Sequence, residues 1–171
     1  MGASPPPSLL IAVDSNVPLD LADGNEAVLD ALATIRQRLP HARFVITPSV
    51  FQELAHIALR DPLPDRQELG VRALRELKRR HFDLLEMVPV GHGIVERIAE
   101  RLRAAGLLPE EEVHDSLILA EAALLGCALL LTSDGHLGEI DHVRLTWELN
   151  AQDVGVPVIA SPREIVNKFF R

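Results

Sequence analysis

The chain of 171 residues is predicted to fold as a three-layer α/β protein, with helices on both faces of a five-stranded parallel sheet. Three observations predict it. Short continuous apolar runs, such as Leu9-Leu10-Ile11-Ala12-Val13 and Leu129-Leu130-Leu131, read as strands buried on both faces. Stretches with apolar residues at helical spacing separate these runs, and strands alternating with helices call for parallel pairing. Proline and small polar residues stand at the helix starts, where their missing N–H or their capping oxygen fits best.

The elements follow in order. Residues 1–8, with Pro5-Pro6-Pro7, are expected to form a flexible Pro-rich tail, and one domain is expected over 9–171. Leu9 to Asp14 is the first strand, and Asn16-Val17-Pro18 opens a short helix that Asp23-Gly24 breaks. Asn25 caps the next helix, with Val28, Leu32, Ile35 and Leu39 on one face up to Pro40. Phe44 to Thr47 is the second strand, and Thr47-Pro48 is a cap and first-turn pair for a helix carrying Glu53. After the loop Asp61-Pro62-Leu63-Pro64-Asp65, the spacing of Leu69, Ala73, Leu74 and Leu77 predicts an amphipathic helix over Arg66 to Arg80. Leu84 to Val90 reads as the third strand, and Ile94 to Ala105 as a helix stopped by Gly106. Pro109 is expected to open a helix with Glu110, Glu111 and Glu112 in its first turn, favourable for the helix dipole. This helix turns almost wholly apolar from Leu117 to Leu125. Ala128 to Thr132 and Val156 to Ile159 complete the sheet, and Ser161-Pro162 caps a final helix.

Composition narrows the function classes. Hydrophobic residues at 47% and charged ones at 25% match an ordinary globular protein. The apolar runs are too short to span a bilayer, and the start lacks the pattern of a signal peptide, so a cytoplasmic protein without membrane contact is expected. One cysteine, Cys127, sits in an apolar stretch and reads as a buried small hydrophobe. A net charge of −8 argues mildly against nucleic acid as a partner. The distribution softens that, because Arg72, Arg75, Lys78, Arg79 and Arg80 cluster on one helix and Arg97, Arg101 and Arg103 on another. Aromatic residues are only 4%, without tyrosine, so extensive base stacking is not expected; Trp147 reads as structural or as an oligomer contact. His114 and His136 lie closest to acids, and neither has a second histidine or a cysteine at a zinc-like spacing, so a zinc site is not expected.

Four acids carry the chemistry. Asp14 and Asp134 each follow a strand directly, at the crevice where open parallel sheets bind ligands. Glu53 shares a helix face with Val50 and Ile57. Asp115 shares a stripe with Ile118, Leu119 and Ala122, where an unpaired carboxylate is costly. Each acid alone also fits a bland role, as a cap, a turn former or a surface charge. If the four converge, their repulsion calls for protonation or bound cations, and hard oxygen donors suit Mg²⁺ or Mn²⁺.

The segments Ile11-Ala12-Val13-Asp14-Ser15-Asn16, Thr47-Pro48-Ser49-Val50-Phe51-Gln52-Glu53-Leu54, His114-Asp115-Ser116-Leu117-Ile118-Leu119-Ala120-Glu121-Ala122 and Leu130-Leu131-Thr132-Ser133-Asp134 together resemble the PIN-domain nucleases, VapC-like ribonucleases among them. The resemblance covers most of the chain from Leu9 onward. It implies a PIN-like five-stranded parallel sheet and a divalent-metal-dependent endoribonuclease acting on single-stranded RNA. Asp14, Glu53, Asp115 and Asp134 land on the family's acidic positions. Asp14 and Asp115 are then principal metal ligands, Asp134 a ligand or an orienter of water, and Glu53 an outer ligand or base. Ser15 and Asn16 are expected to hold these carboxylates or contact phosphate, and Thr132 and Ser133 to orient Asp134. Some members carry a further acid after the fourth; this chain has His136 there, with Glu139 and Asp141 beyond.

Arg72, Arg75, Lys78, Arg79, Arg97 and Arg101 are the expected RNA-binding residues, with a solvated amphipathic face as the competing reading. By family analogy the chain is the toxin of a toxin–antitoxin pair, with an antitoxin partner and a homodimer to which Phe169 and Phe170 contribute. A catalytically silent PIN-fold module that binds RNA or protein is the alternative. A haloacid-dehalogenase-like phosphatase would want an aspartate where Asn16 stands. A response-regulator receiver would want one after the third strand, and a dinucleotide-binding domain a glycine-rich first turn.

Overall fold

The computed structural model describes residues 8–169, with side chains up to residue 168. The proline-rich stretch expected over 1–8, Ser8 apart, lies outside the described residues, as do the side chains of Phe169 and Phe170. In chain order the elements are β1 (Leu10–Val13), α1 (Asn16–Ala22), α2 (Glu26–Arg38), β2 (Arg43–Ile46), α3 (Pro48–Arg60), α4 (Pro64–Arg79), β3 (Asp83–Leu84), α5 (Pro89–Ala104), α6 (Val113–Leu124), β4 (Leu129–Leu131), α7 (Gly135–Gly138), α8 (His142–Asn150), β5 (Val158–Ala160) and α9 (Pro162–Phe169).

The strands form one sheet in the order β3-β2-β1-β4-β5, and every pairing is parallel. The order reverses direction at β1, so the crevice beyond the carboxyl ends of β1 and β4 is the topological switch point. The registers Ile11↔Leu129 and Val13↔Leu131 bring those two ends level. The carboxyl ends of both strands are fully buried, with Val13, Leu130 and Leu131 at 0% exposure. Helices α3 and α4 pack as a hairpin, α1 lies against α4, α5 against α6 and α8, and α2 against α9. No helix among the described residues is long and apolar enough to cross a membrane.

Three expectations need correction. The third strand is only Asp83–Leu84, because Leu84 and Val88 face outward and Pro89 presets the first turn of α5, so residues 89–93 are helical. The glutamates at 110–112 do not open a helix. Glu112 N–H donates to Pro109 O in a turn, and α6 begins at Val113 with Glu112 as its cap residue. Thr47 makes no capping bond through its hydroxyl. That task falls to the buried carboxylate of Glu121 on α6, which accepts from Ser49 N at 3.2 Å and from Ser49 Oγ at 2.8 Å. Finally, α7 and α8 occupy a stretch whose polarity hid its periodicity. Trp147 on α8 is 75% exposed and takes no part in the core, whereas Cys127 is buried.

Candidate active site

The site begins with how β1 ends. Asp14 N–H still donates to Leu131 O across the sheet, so its side chain is placed by strand geometry at the switch point. The carboxylate is almost fully buried yet well supplied with donors. Oδ1 accepts from Ser15 N at 2.7 Å and from Ser15 Oγ at 3.2 Å; Oδ2 accepts from Asn16 Nδ2 at 3.2 Å and from Thr132 Oγ1 at 2.9 Å. Burial raises its pKa, against the bonds from Thr132 and Ser15, and the charge of Glu53 adds to the rise.

Thr132 joins the two strand ends. While its hydroxyl donates to Asp14, the same oxygen accepts from Asp134 N at 2.9 Å. Asp134 caps α7, with Oδ1 accepting from Leu137 N at 3.1 Å. Ser133 departs from its expected role: its hydroxyl donates to Asp20 Oδ2 at 3.2 Å, away from Asp134, because neighbours on an extended segment point to opposite sides. The neighbouring Asp20 carboxyl is raised by burial, with Ser133 lowering it and Asp23 raising it.

Asp115, in the first turn of α6, meets this pair from the other side. Burial pushes its carboxyl up to about 7, with the charges of Asp14, Asp134 and Glu112 adding to the rise and His114 opposing it. The four acids singled out in the sequence therefore feel one another in one place. Glu53 joins through α3, whose start is pinned to α6 by Glu121. Burial works to raise Glu53, but the His114 contact, the Ser15 hydroxyl and the charges of His114 and Arg66 override it and hold the carboxyl below its ordinary value. His114 Nε2 lies 2.7 Å from Glu53 Oε2, off the line of a good hydrogen bond, so the contact is chiefly ionic. The Glu53 contact raises His114 despite burial, with help from the charges of Glu53, Asp115 and Asp14.

Two residues escaped the sequence reading as members of the site, Glu112 and Glu121, and His114 was placed near the acids without a role. Glu112 Oε1 sits 3.0 Å from His136 Nδ1. Donor atoms of Glu112, Asp115 and His136 all fall within 4.8 Å of one another. The adjacency of His114 to Asp115 was visible, whereas its pairing with a residue on α3 was not. Glu121, the one charge in the apolar run of α6, was the clearest signal available for a buried acid. Glu139 is exposed, and Asp141 caps α8 by accepting from Arg144 N.

The expected RNA-binding residues are not gathered at the acids. Arg72, Arg75, Lys78 and Arg79 are exposed along α4. Lys78 and Arg79 stand in its last turn, which leads into the amino end of β3, the sheet edge opposite Asp14 and Asp134. Arg79 pairs with Glu76 at 3.2 Å and Arg101 with Glu148 at 3.8 Å, while Arg97 is exposed on α5. Of the other cations, Arg66 helps lower Glu53 through its charge, and the Arg103 guanidinium donates to Ser116 Oγ.

Carboxylates crowded in this way suit a hard divalent cation, which takes oxygen donors and relieves their repulsion. A model of the PIN domain matches residues 11–143. No curated protein matches the chain. Among solved structures, a chain in the crystal structure of VapBC2 from Rickettsia felis bound to a DNA fragment from their promoter is similar, with a TM-score of 0.60 at 11% identity. The alignment covers 90% of this chain and 98% of that one, and the likeness is one of fold.

Proposed function

Since the chain belongs to the PIN-domain family, generally nucleases, we propose that it is a divalent-metal-dependent endoribonuclease cleaving single-stranded RNA. One observation carries this reading: the Thr132 hydroxyl ties the strand-end carboxylate of Asp14 to the chain at Asp134, and the charges of both bear on Asp115 of α6. Evolution tolerates such crowding where a cation neutralises it.

Asp14, Asp115 and Asp134 would hold Mg²⁺ or Mn²⁺. When bound, the ion supplies positive charge to the phosphoryl oxygens and lowers the pKa of a coordinated water. The protein's own groups do the rest. Thr132 and Asn16 fix Asp14, and the Thr132 hydroxyl fixes the chain at Asp134, so the carboxylates need little reorganisation on meeting a substrate. His114 keeps Glu53 ionised, so this carboxylate is able to accept the proton of the attacking water. Arg66 offers charge beside Glu53, while Arg72, Arg75 and Arg97 present exposed cations to an RNA backbone farther along the surface.

The same reading makes residues 9–171 one cytoplasmic nuclease domain. It makes the chain the toxin of a toxin–antitoxin pair that an antitoxin silences and that pairs with a second copy. The family and the fold shared with a chain of VapBC2 support this.

The test is cleavage of a labelled single-stranded RNA by the full chain with Mn²⁺ or Mg²⁺, compared with Asp14→Asn and Asp115→Asn. Cleavage should vanish with EDTA and fall at least about 100-fold in each variant. Unchanged cleavage in the double variant would remove the site from the mechanism. Metal binding without cleavage of any RNA would favour a silent module.

A further inference from the structure

The carboxylate of Asp20 has no part in the chemistry described so far, and the Ser133 hydroxyl turns toward it rather than toward Asp134. Both line a cavity of about 290 Å³ together with Asn25, Val28, Pro162 and Arg163. It lies at the carboxyl ends of β4 and β5, where Ser133 comes shortly after β4 and Pro162 starts α9 just beyond β5. The acids stand one strand away, at the ends of β1 and β4. We infer that this cavity is a base subsite of the proposed nuclease and that it reads guanine in a nucleotide next to the cut.

The segment Thr132-Ser133-Asp134 separates the two places. On one side the Thr132 hydroxyl joins Asp14 to the Asp134 N–H, and on the other Ser133 meets Asp20 at 3.2 Å. An RNA strand that crosses this segment with a phosphodiester at Asp14, Asp115 and Asp134 brings a neighbouring base over the cavity.

The lining decides what fits. A phosphate would meet the Asp20 carboxylate, an aliphatic group would strand it, and one carboxylate alone holds a divalent cation poorly. A base suits the mixture, because the buried Val28 and Pro162 offer an apolar wall to the ring and the polar groups meet its edge. Asp20 is short of donors: Oδ2 accepts only from Ser133, and Oδ1 accepts from no group among the described residues. Such a carboxylate selects an edge with two adjacent N–H donors. Guanine alone has one, with N1–H beside the N2 amino group. Adenine and cytosine set an amino group beside a bare ring nitrogen, and uracil flanks its one N–H with carbonyls. Guanine O6 then needs a donor. Asn25 supplies it, since its Oδ1 accepts from Val28 N at 3.3 Å and its Nδ2 is left to donate. Arg163, exposed and without an ion pair among the described residues, is placed at the same cavity to hold the nucleotide's phosphate.

This inference deepens the ribonuclease reading and rests on it for its substrate. The probes are short oligouridines carrying one central guanosine, inosine or adenosine. Uracil fits the carboxylate poorly, and inosine lacks only the N2 amino group of guanine. With Mn²⁺ the full chain should cut beside the guanosine, with kcat/KM at least about 10-fold above that for the adenosine oligomer and with inosine between the two. Asp20→Asn, which replaces an acceptor by a donor, should erase the advantage of guanosine. Binding is read separately by fluorescence anisotropy on Asp115→Asn, with and without Asp20→Asn, and the same order and the same loss are expected. The inosine comparison needs no change at Asp20, so it decides even where Asp20→Asn folds poorly.

Equal kcat/KM on the guanosine and inosine oligomers would overturn the inference, and so would a guanosine advantage that survives Asp20→Asn. Cleavage without base preference would spare the ribonuclease reading and end this one. If no oligomer is cut, anisotropy decides: a guanosine preference that Asp20→Asn erases keeps the subsite and ends the ribonuclease reading. Equal binding of all oligomers, or none, would end both.

Discussion

Replacing Asp115 by asparagine keeps the side chain's shape and removes a charge that Asp14, Asp134 and Glu112 oppose. In the folded, metal-free chain the Asp115 carboxyl is raised from 3.8 to about 7. A raised acid binds its proton more tightly folded than unfolded. The contribution of Asp115 to stability is therefore fully present below pH 4, declines as pH rises, and is gone once pH passes about 7. At 1.36 kcal/mol per unit the full shift is about 4 kcal/mol. Asp115 is partly exposed, and screening by solvent reduces this to about 2 kcal/mol. With EDTA at pH 8, Asp115→Asn should therefore be more stable than wild type by about 2 kcal/mol, or about 4–8 °C in Tm for a chain of this size. The advantage should shrink steadily between pH 7 and pH 4. With Mn²⁺ at about 100 times its Kd the order should reverse, because the wild type alone gains about 2.7 kcal/mol from binding. Thermal and urea unfolding across pH, with and without metal, would decide. A variant less stable than wild type at pH 8 in EDTA, by the same amount at every pH, would refute the crowding of charge around Asp115.

Further predictions rest on other parts of the molecule. Glu121→Ala strands the Ser49 N–H at the start of α3 and should cost about 3 kcal/mol by urea unfolding; a loss under 1 kcal/mol would mean the buried bonds to Ser49 do not hold α3. His114→Gln should destabilise most between about pH 4.5 and 6.5, since Glu53 is lowered and contributes above its unfolded pKa while His114 is raised and contributes below its own. A pH-independent loss would sink the ion pair. At Gly70 an added Cβ would meet Ala58 N at 2.7 Å and Ile57 Cγ2 at 2.9 Å, so Gly70→Ala should lower stability by about 1 kcal/mol despite alanine's better helix propensity. A rise in Tm would show that α3 and α4 separate freely. Arg75→Glu with Arg79→Glu should weaken RNA binding with a reduced salt slope if α4 carries backbone contacts, and normal binding in a filter assay would assign them elsewhere.

Much of the fold was legible because its signals are local. Buried parallel strands must be apolar throughout, and Leu9 to Val13 and Leu129 to Leu131 are. Asp14 and Asp134 could be placed at strand ends for the same reason. Where local cues compete, the sequence misled: Leu84 to Val90 alternates like a strand, yet Pro89 starts a helix inside it. The glutamates before Val113 look like a dipole-favouring first turn, but Glu112 folds back toward His136 instead. Contacts between elements carry no local mark. Nothing near Thr47 reveals that Glu121 takes over capping at Ser49, and nothing near Glu53 reveals that it meets His114. The basic face of α4 illustrates the opposite error. Its charge density is plain in the sequence, but that Lys78 and Arg79 stand at the far sheet edge depends on the direction in which α4 runs.

The most direct measurement is an anomalous-scattering map from crystals grown with Mn²⁺. A peak at about 2.1 Å from carboxylate oxygens of Asp14, Asp115 and Asp134 is the predicted result. A map at saturating Mn²⁺ with no peak between the ends of β1 and β4, or with Asp115 turned away from Asp14, would show that the acids do not make a cation site.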